Sequence, residues 1–222
     1  LDSENEDCSA REGAPATKTL RQEIQHEVSE LVKLVGIFLV VFICLKAFVL
    51  EGYEVQGPSM QPNFEDGDRI LVWKLPHQLS QLSIFEGMVP FKQGDVVVFD
   101  STVEPNKRYI KRVIAAGPPA VKGNTASAST DDPTQSAGVL VQYERGSVLV
   151  DNWRMDEPYL QEEERHSQES RDPQLVGPGE YYVMGDHRSV SKDSRTFGPV
   201  SDKHVVGKAV FRFWPLNRIG VL

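Results

Sequence analysis

Ser59 is a hydroxyl with no evident structural duty. It stands in Val55-Gln56-Gly57-Pro58-Ser59-Met60-Gln61-Pro62, where Gly57 and Pro58 break a strand expected over Gly52 to Val55 and leave the serine at a bend with its side chain free. An isolated Gly-Pro-Ser would be an ordinary turn; a serine becomes a nucleophile only beside a base. Lys111 is a candidate base. It lies in Arg108-Tyr109-Ile110-Lys111-Arg112-Val113-Ile114, an apolar, β-branched run that reads as a strand, and period two puts Tyr109, Lys111 and Val113 on one face. Two readings of that lysine stay open. At a sheet edge its ammonium reaches solvent, which is what a lysine taken alone favours. Desolvated, its pKa falls from about 10.4 towards neutrality at about 1.4 kcal/mol per unit, and the neutral amine could take a proton from a serine.

A third stretch, Met184-Gly185-Asp186-His187-Arg188-Ser189-Val190-Ser191-Lys192-Asp193-Ser194-Arg195-Thr196-Phe197-Gly198, is dense in polar groups yet sits between apolar strands. A solvated turn would give no reason for its alternation of Asp, Ser and Arg. Asp193 and Arg195 are expected to pair, and Ser191 to offer a hydroxyl inward.

In this order, these stretches resemble the type I signal peptidases. The resemblance continues through Asp66-Gly67-Asp68 leading into Ile70-Leu71-Val72, Gly94-Asp95-Val96-Val97-Val98-Phe99, Asp156-Glu157-Pro158-Tyr159, and Gly207-Lys208-Ala209-Val210-Phe211-Arg212-Phe213-Trp214-Pro215, and covers roughly residues 31 to 219. It implies a membrane-bound serine endopeptidase that removes signal peptides from exported preproteins through a Ser/Lys dyad and an acyl-enzyme. By that resemblance Ser59 is the nucleophile, Lys111 the general base and Ser191 the residue that orients the lysine. Asp193 and Arg195 form the supporting ion pair, and Asp186 is the motif aspartate. The substrate pockets fall on Tyr53, Val55, Met60, Tyr109 and Ile110, consistent with small residues at the first and third positions before the cut. No cofactor and no metal is implied.

Stepping along the chain, residues 1 to 16 are polar and acidic and read as a disordered tail. The opening Leu1 suggests that the natural start is missing or removed. Thr19 and Gln22 suit a capping box, and Leu20, Ile24, Val28, Leu31, Val32 and Val35 recur at helical spacing. A helix over 17 to 50 is expected, with a transmembrane span at Leu31 to Leu50 whose uncharged core runs from Leu34 to Leu45 between Lys33 and Lys46. Twenty helical residues give about 30 Å, a bilayer core. Two other readings compete: a buried core helix, which hydropathy alone also admits, and a cleaved signal peptide, against which no small-x-small site directly ends the run. Lys18, Arg21 and Lys33 before the span and Glu51 and Glu54 after it place the amino terminus inside and the main domain outside, by default at a bacterial plasma membrane.

Residues 51 to 222 then read as a mostly antiparallel β catalytic domain, with strands at Arg69 to Trp73, Val96 to Phe99, Arg108 to Ile114, Val139 to Tyr143, Ser147 to Asn152, Tyr181 to Met184 and Lys208 to Trp214. Insertions are expected near 75–94, where Leu79, Leu82, Ile84, Phe85, Met88 and Val89 either cover the core or touch lipid, near 122–138, which is low-complexity, and near 161–172, a charged run read as a solvated loop. A substrate peptide could add as a strand along Tyr53 to Val55 or along Arg108 to Lys111. Besides the preprotein signal peptide, the lipid bilayer is the implied partner. No oligomeric state follows from the sequence.

Departures from the family pattern are Gly57 where some members have an oxyanion-binding serine, Asn63-Phe64, His187, and Ala115 to Pro119. At net charge −8 and pI near 5.2, nothing suggests nucleic acid. With only Cys8 and Cys44 there is no disulfide framework or cysteine metal site. Among His26, His77, His166, His187 and His204, only His187 has a motif-like setting for a Ser/His/Asp enzyme, and their spacing does not suit a metal. A self-cleaving repressor with Ser/Lys chemistry would need a DNA-binding helix pair. A non-catalytic, membrane-tethered β module that binds peptides is the remaining alternative.

Overall fold

The structure, a computed structural model, describes residues 16–44, 49–75, 90–119 and 138–222, with the side chains of the first helix described over 24–43. The expected acidic tail and the greater part of the 75–94 and 122–138 insertions lie outside the described residues. The chain divides into two compact units, Leu1–Leu45 and Lys46–Leu222.

In the first unit, helix α1 runs over Ala16–Cys44, 29 residues. It starts ahead of Thr19, so that residue falls inside the helix rather than at its cap. The described apolar side chains from Ile24 to Ile43 are all exposed, and Phe38 stacks on Phe42 one turn on. Among the described residues no helix is long and apolar enough to cross a membrane. The expected span also overreaches at its end: residues 45–48 lie outside the described set, and Leu50 opens a strand.

The second unit is mostly antiparallel β. Its larger sheet holds β1 (Leu50–Glu54), β2 (Arg69–Trp73), β3 (Val96–Asp100), β4 (Arg108–Ala116), β9 (Glu180–Met184), β10 (Val200–Ser201), β11 (Val205–Trp214) and β12 (Gly220–Val221). The order is β1-β2-β11-β3-β4-β9-β10, with β12 beside β11. The strands form where β-branched and aromatic residues are bounded by Gly, Pro and Asp. Val96 to Phe99 are buried on both faces, as suits a strand in the middle of a sheet. Val55, Ile70, Val72, Val98 and Ile110 share one core cluster, and Arg108 of β4 donates to Tyr53 Oη of β1 at 2.5 Å. The sheet therefore curls until its first edge strand approaches β4.

A smaller sheet, ordered β7-β6-β5-β8, holds β5 (Val139–Glu144), β6 (Ser147–Val150), β7 (Trp153–Arg154) and β8 (Arg171–Val176). Its two hairpins turn through Arg145-Gly146 and Asp151-Asn152, and all four residues have positive φ, as two-residue turns matched to strand twist require. That is why the strand expected to reach Asn152 stops at Val150. The run read as a solvated loop at 161–172 is built differently: it carries the one-turn helix α2 (Glu162–Arg165) and the start of β8. A second short helix, α3, spans Ser194–Phe197.

Candidate active site

Ser59 follows β1 in a turn pinned from three sides. The Gly57 N–H donates to Asp66 Oδ1 at 2.6 Å, with Gly57 at φ 82°. Met60, fully buried in the core, anchors the turn from below. The Ser59 carbonyl accepts from the His187 N–H at 3.1 Å. Gly185 makes the last contact possible: a Cβ there would stand 2.5 Å from the Ser59 carbonyl oxygen and 2.2 Å from Ser191 Oγ. The loop after β9 thus lies against the backbone of the serine.

Lys111 is buried, 3% exposed. β4 pairs with β3 along Arg108 to Arg112, whereas β9 joins its other side only from Arg112 onward. The edge at Lys111 is thus left open by β9, yet the side chain is buried, so the desolvated reading is the one realised. Its Nζ lies 2.7 Å from Ser59 Oγ and 2.9 Å from the Ile110 carbonyl oxygen. Burial pushes its pKa from 10.5 down to about 8, against the opposing pull of Asp193 and Asp186.

The supporting groups are partly as expected. Arg195 Nε donates to Asp193 Oδ1 and Nη2 to Oδ2, both at 2.9 Å, and both residues are buried. Asp193 also accepts from the Gly185 N–H at 3.0 Å, which ties the ion pair to the loop that abuts Ser59. Asp186 is buried and holds Arg112 through bonds of 2.8 and 2.6 Å. Ser191 departs from expectation. Its buried Oγ has no hydrogen-bond partner, and the Lys111 amine is directed to Ser59 and Ile110 instead.

Sequence reasoning missed several residues of this frame. Asn63, noted only as a departure, donates from Nδ2 to Asp186 Oδ2 at 2.8 Å and to the Tyr159 carbonyl at 2.9 Å. The Arg112 guanidinium lies 4.1 Å from the centre of the Tyr159 ring. Arg188 and Glu157 form a buried ion pair. Glu169, inside the supposed solvated loop, reaches Arg195 at 3.2 Å. The available signal was Asp156-Glu157-Pro158-Tyr159: acids beside an aromatic call for buried cationic partners, and Arg112 and Arg188 were at hand.

His187 does not serve as a base for Ser59. Its Nδ1 lies 3.3 Å from the Pro58 carbonyl oxygen and its Nε2 3.4 Å from Glu164. Among the described residues no cluster of three or more His, Cys, Asp or Glu is placed to hold a metal.

Ser59 and Lys111 lie in a cleft of about 600 Å³. Tyr53, Val55, Tyr109 and Ile110 line it; Met60 does not, being buried beneath it. One wall is β1 and the segment after it, an edge of the sheet; the other is the part of β4 that β9 leaves unpaired. At the rim, Tyr109 Oη donates to Glu104 at 2.5 Å and Lys192 Nζ to the same carboxylate at 3.2 Å. A buried amine whose pKa is lowered to about 8 thus lies against a hydroxyl, in a cleft bordered by two free strand edges.

The family described as "Signal peptidase, peptidase S26" matches residues 28–133 and 135–214. Signal peptidase IB of Staphylococcus aureus (strain COL) is 29% identical over 209 residues, 87% of this chain and 93% of the relative. Signal peptidase I of Bacillus licheniformis is 30% identical over 203 residues, 88% and 93%. A crystal structure of a signal peptidase I from Enterococcus faecalis V583 aligns over 53% of this chain and 95% of its own, with 25% identity and a TM-score of 0.39.

Proposed function

The chain belongs to the signal peptidase family, peptidase S26, and we propose that it performs that family's serine peptidase chemistry with Ser59 as nucleophile and Lys111 as general base. The observation that carries the assignment is the 2.7 Å approach of a buried lysine amine to a serine hydroxyl at the floor of a peptide-sized cleft. A preprotein segment lies extended between the free edge of β1 and residues 108–111, pairing by backbone hydrogen bonds, with alternate side chains directed into the cleft. Tyr53, Val55, Tyr109 and Ile110 crowd that space, which favours small residues at the first and third positions before the cut; Met60 holds the floor from below.

In the reaction, Lys111 Nζ accepts the Ser59 proton as Oγ attacks the scissile carbonyl. The resulting ammonium gives that proton to the leaving amine, freeing the mature amino terminus. Water, deprotonated by the regenerated amine, then hydrolyses the acyl-enzyme and restores Ser59. Gly57 brings no hydroxyl to the oxyanion, and its N–H is engaged by Asp66. The Ser59 N–H, without a partner among the described residues, is the donor left for it. Asp193, Arg195 and Asp186 position Gly185 and β4 around the dyad, and Ser191 packs on Gly185.

We infer further that α1 anchors the enzyme with its catalytic unit outside. Leu34 to Ile43 carries no charge, and its described side chains are all exposed, a surface that calls for an apolar surround. Lys18, Arg21 and Lys33 ahead of that run suit the inner side of a bacterial plasma membrane for the amino terminus.

Mass spectrometry of a purified preprotein incubated with the detergent-solubilised chain tests the assignment. Wild type is expected to make one cut after a small-x-small site, and Ser59→Ala and Lys111→Met none. Cutting that survives Ser59→Ala would remove Ser59 as nucleophile, and no cutting by wild type would favour a peptide-binding module.

A further inference from the structure

Charge pairing among the arginines is uneven. Every arginine whose side chain is described, apart from Arg145, Arg154 and Arg165, lies within ion-pair distance of a carboxylate. Those three line one cleft of about 750 Å³ on the smaller sheet. They arrive from separate elements: Arg145 from the β5–β6 turn, Arg154 from β7 at the sheet edge, Arg165 from the end of α2. In an acidic chain of net charge −8, unpaired guanidiniums gathered in one concavity make a local field opposite to that of the whole.

The cleft has a fixed frame. A Cβ at Gly146 would meet the Arg165 carbonyl oxygen at 2.6 Å and the Ser167 nitrogen at 2.8 Å, so the hairpin turn rests directly on the backbone leaving α2. Ser170 Oγ accepts from the Arg145 N–H at 3.2 Å. Arg165 donates through Nη2 to the Glu157 carbonyl at 2.9 Å, and its Nε is buried without a partner. A guanidinium does not give up its proton to relieve such a position, so the donor awaits an acceptor. Ser147 and Ser170 add hydroxyls to the lining; the carboxylate among the lining residues is that of Glu144, which is exposed.

We propose that this cleft binds a phosphate-bearing ligand. Guanidinium forks match tetrahedral, multiply charged oxygens in pairs, and hydroxyls complete the donor set. The volume exceeds that of a bare phosphate, which suits a phosphoryl group carried on a small polar headgroup. None of the lining residues belongs to the catalytic cleft.

Isothermal titration of the full chain in nonionic detergent, with inorganic phosphate and separately with glycerol 1-phosphate, tests this. Saturable binding is expected, weakened roughly tenfold or more in Arg145→Gln/Arg154→Gln and by added salt. Both substituted residues are exposed, without side-chain partners among the described residues, and outside the catalytic machinery, so unchanged preprotein cleavage reports an intact fold. Tighter binding of glycerol 1-phosphate than of phosphate identifies a headgroup, and equal binding a free phosphate. No saturable binding of either probe, or wild-type affinity in the double variant, overturns the proposal.

Discussion

Replacing Lys111 with methionine should abolish activity and yet stabilise the fold. In the native chain, burial lowers the lysine pKa from 10.5 to about 8. Each unit corresponds to 1.36 kcal/mol, so keeping Lys111 in place opposes folding by about 3 kcal/mol at neutral pH. Between pH 8 and 10.5 the unfolded lysine binds a proton that the folded one does not, and stability rises with pH across that window. Below pH 8 both forms are protonated and the full penalty applies. Methionine has similar length and no charge, so Lys111→Met removes the penalty while losing two hydrogen bonds worth about 1 kcal/mol each. A net gain of about 1 kcal/mol or more is expected at pH 7, fading and reversing above pH 8 as the wild type ceases to bear the penalty. Urea unfolding of both proteins in detergent from pH 6 to 10.5, followed by tryptophan fluorescence, measures it. A variant less stable than wild type at pH 7 by several kcal/mol, or a difference that does not change with pH, would refute the reasoning.

Gly185→Ala should lower kcat by at least an order of magnitude in preprotein cleavage, because its methyl group would occupy the place of Ser191 Oγ and crowd the Ser59 carbonyl. Ser191→Ala should retain most of the wild-type kcat, since Ser191 Oγ makes no hydrogen bond to Lys111; a loss beyond about a hundredfold would show that the hydroxyl acts on the lysine during turnover. Asp186→Asn should destabilise the fold by about 3 kcal/mol, readable by chemical unfolding, because it leaves the partly buried Arg112 without its carboxylate.

What could be read from the sequence was whatever local pattern governs. Arg69 to Trp73 and Val96 to Phe99 announce themselves as β-branched runs, and the bend at Gly57-Pro58 explains itself. Asp193 and Arg195, two residues apart, were legible as a pair. β8 was not: Arg171 and Asp172 close the run read as a charged loop, and Pro173 is tolerated because β8 lies at the edge of the smaller sheet and its pairing with β5 shifts register at that point. Nor could the burial of Lys111 be read, since the same residues fit a solvated edge until the turn of Ser59, 52 residues away in the chain, is known to meet the amine. Asn63 to Asp186 and Arg188 to Glu157 join residues far apart in the chain, and no periodicity encodes such contacts.

The most direct test of the central claim, that a desolvated Lys111 is the base, is the pH dependence of kcat/KM for wild-type preprotein cleavage. A single ionisation near pH 8 is expected, with the rate about tenfold lower at pH 7 than on the alkaline plateau and falling a further tenfold per unit below. A rate flat from pH 5 to 10, or one governed by an ionisation near 6.5 that His187→Gln removes, would contradict it.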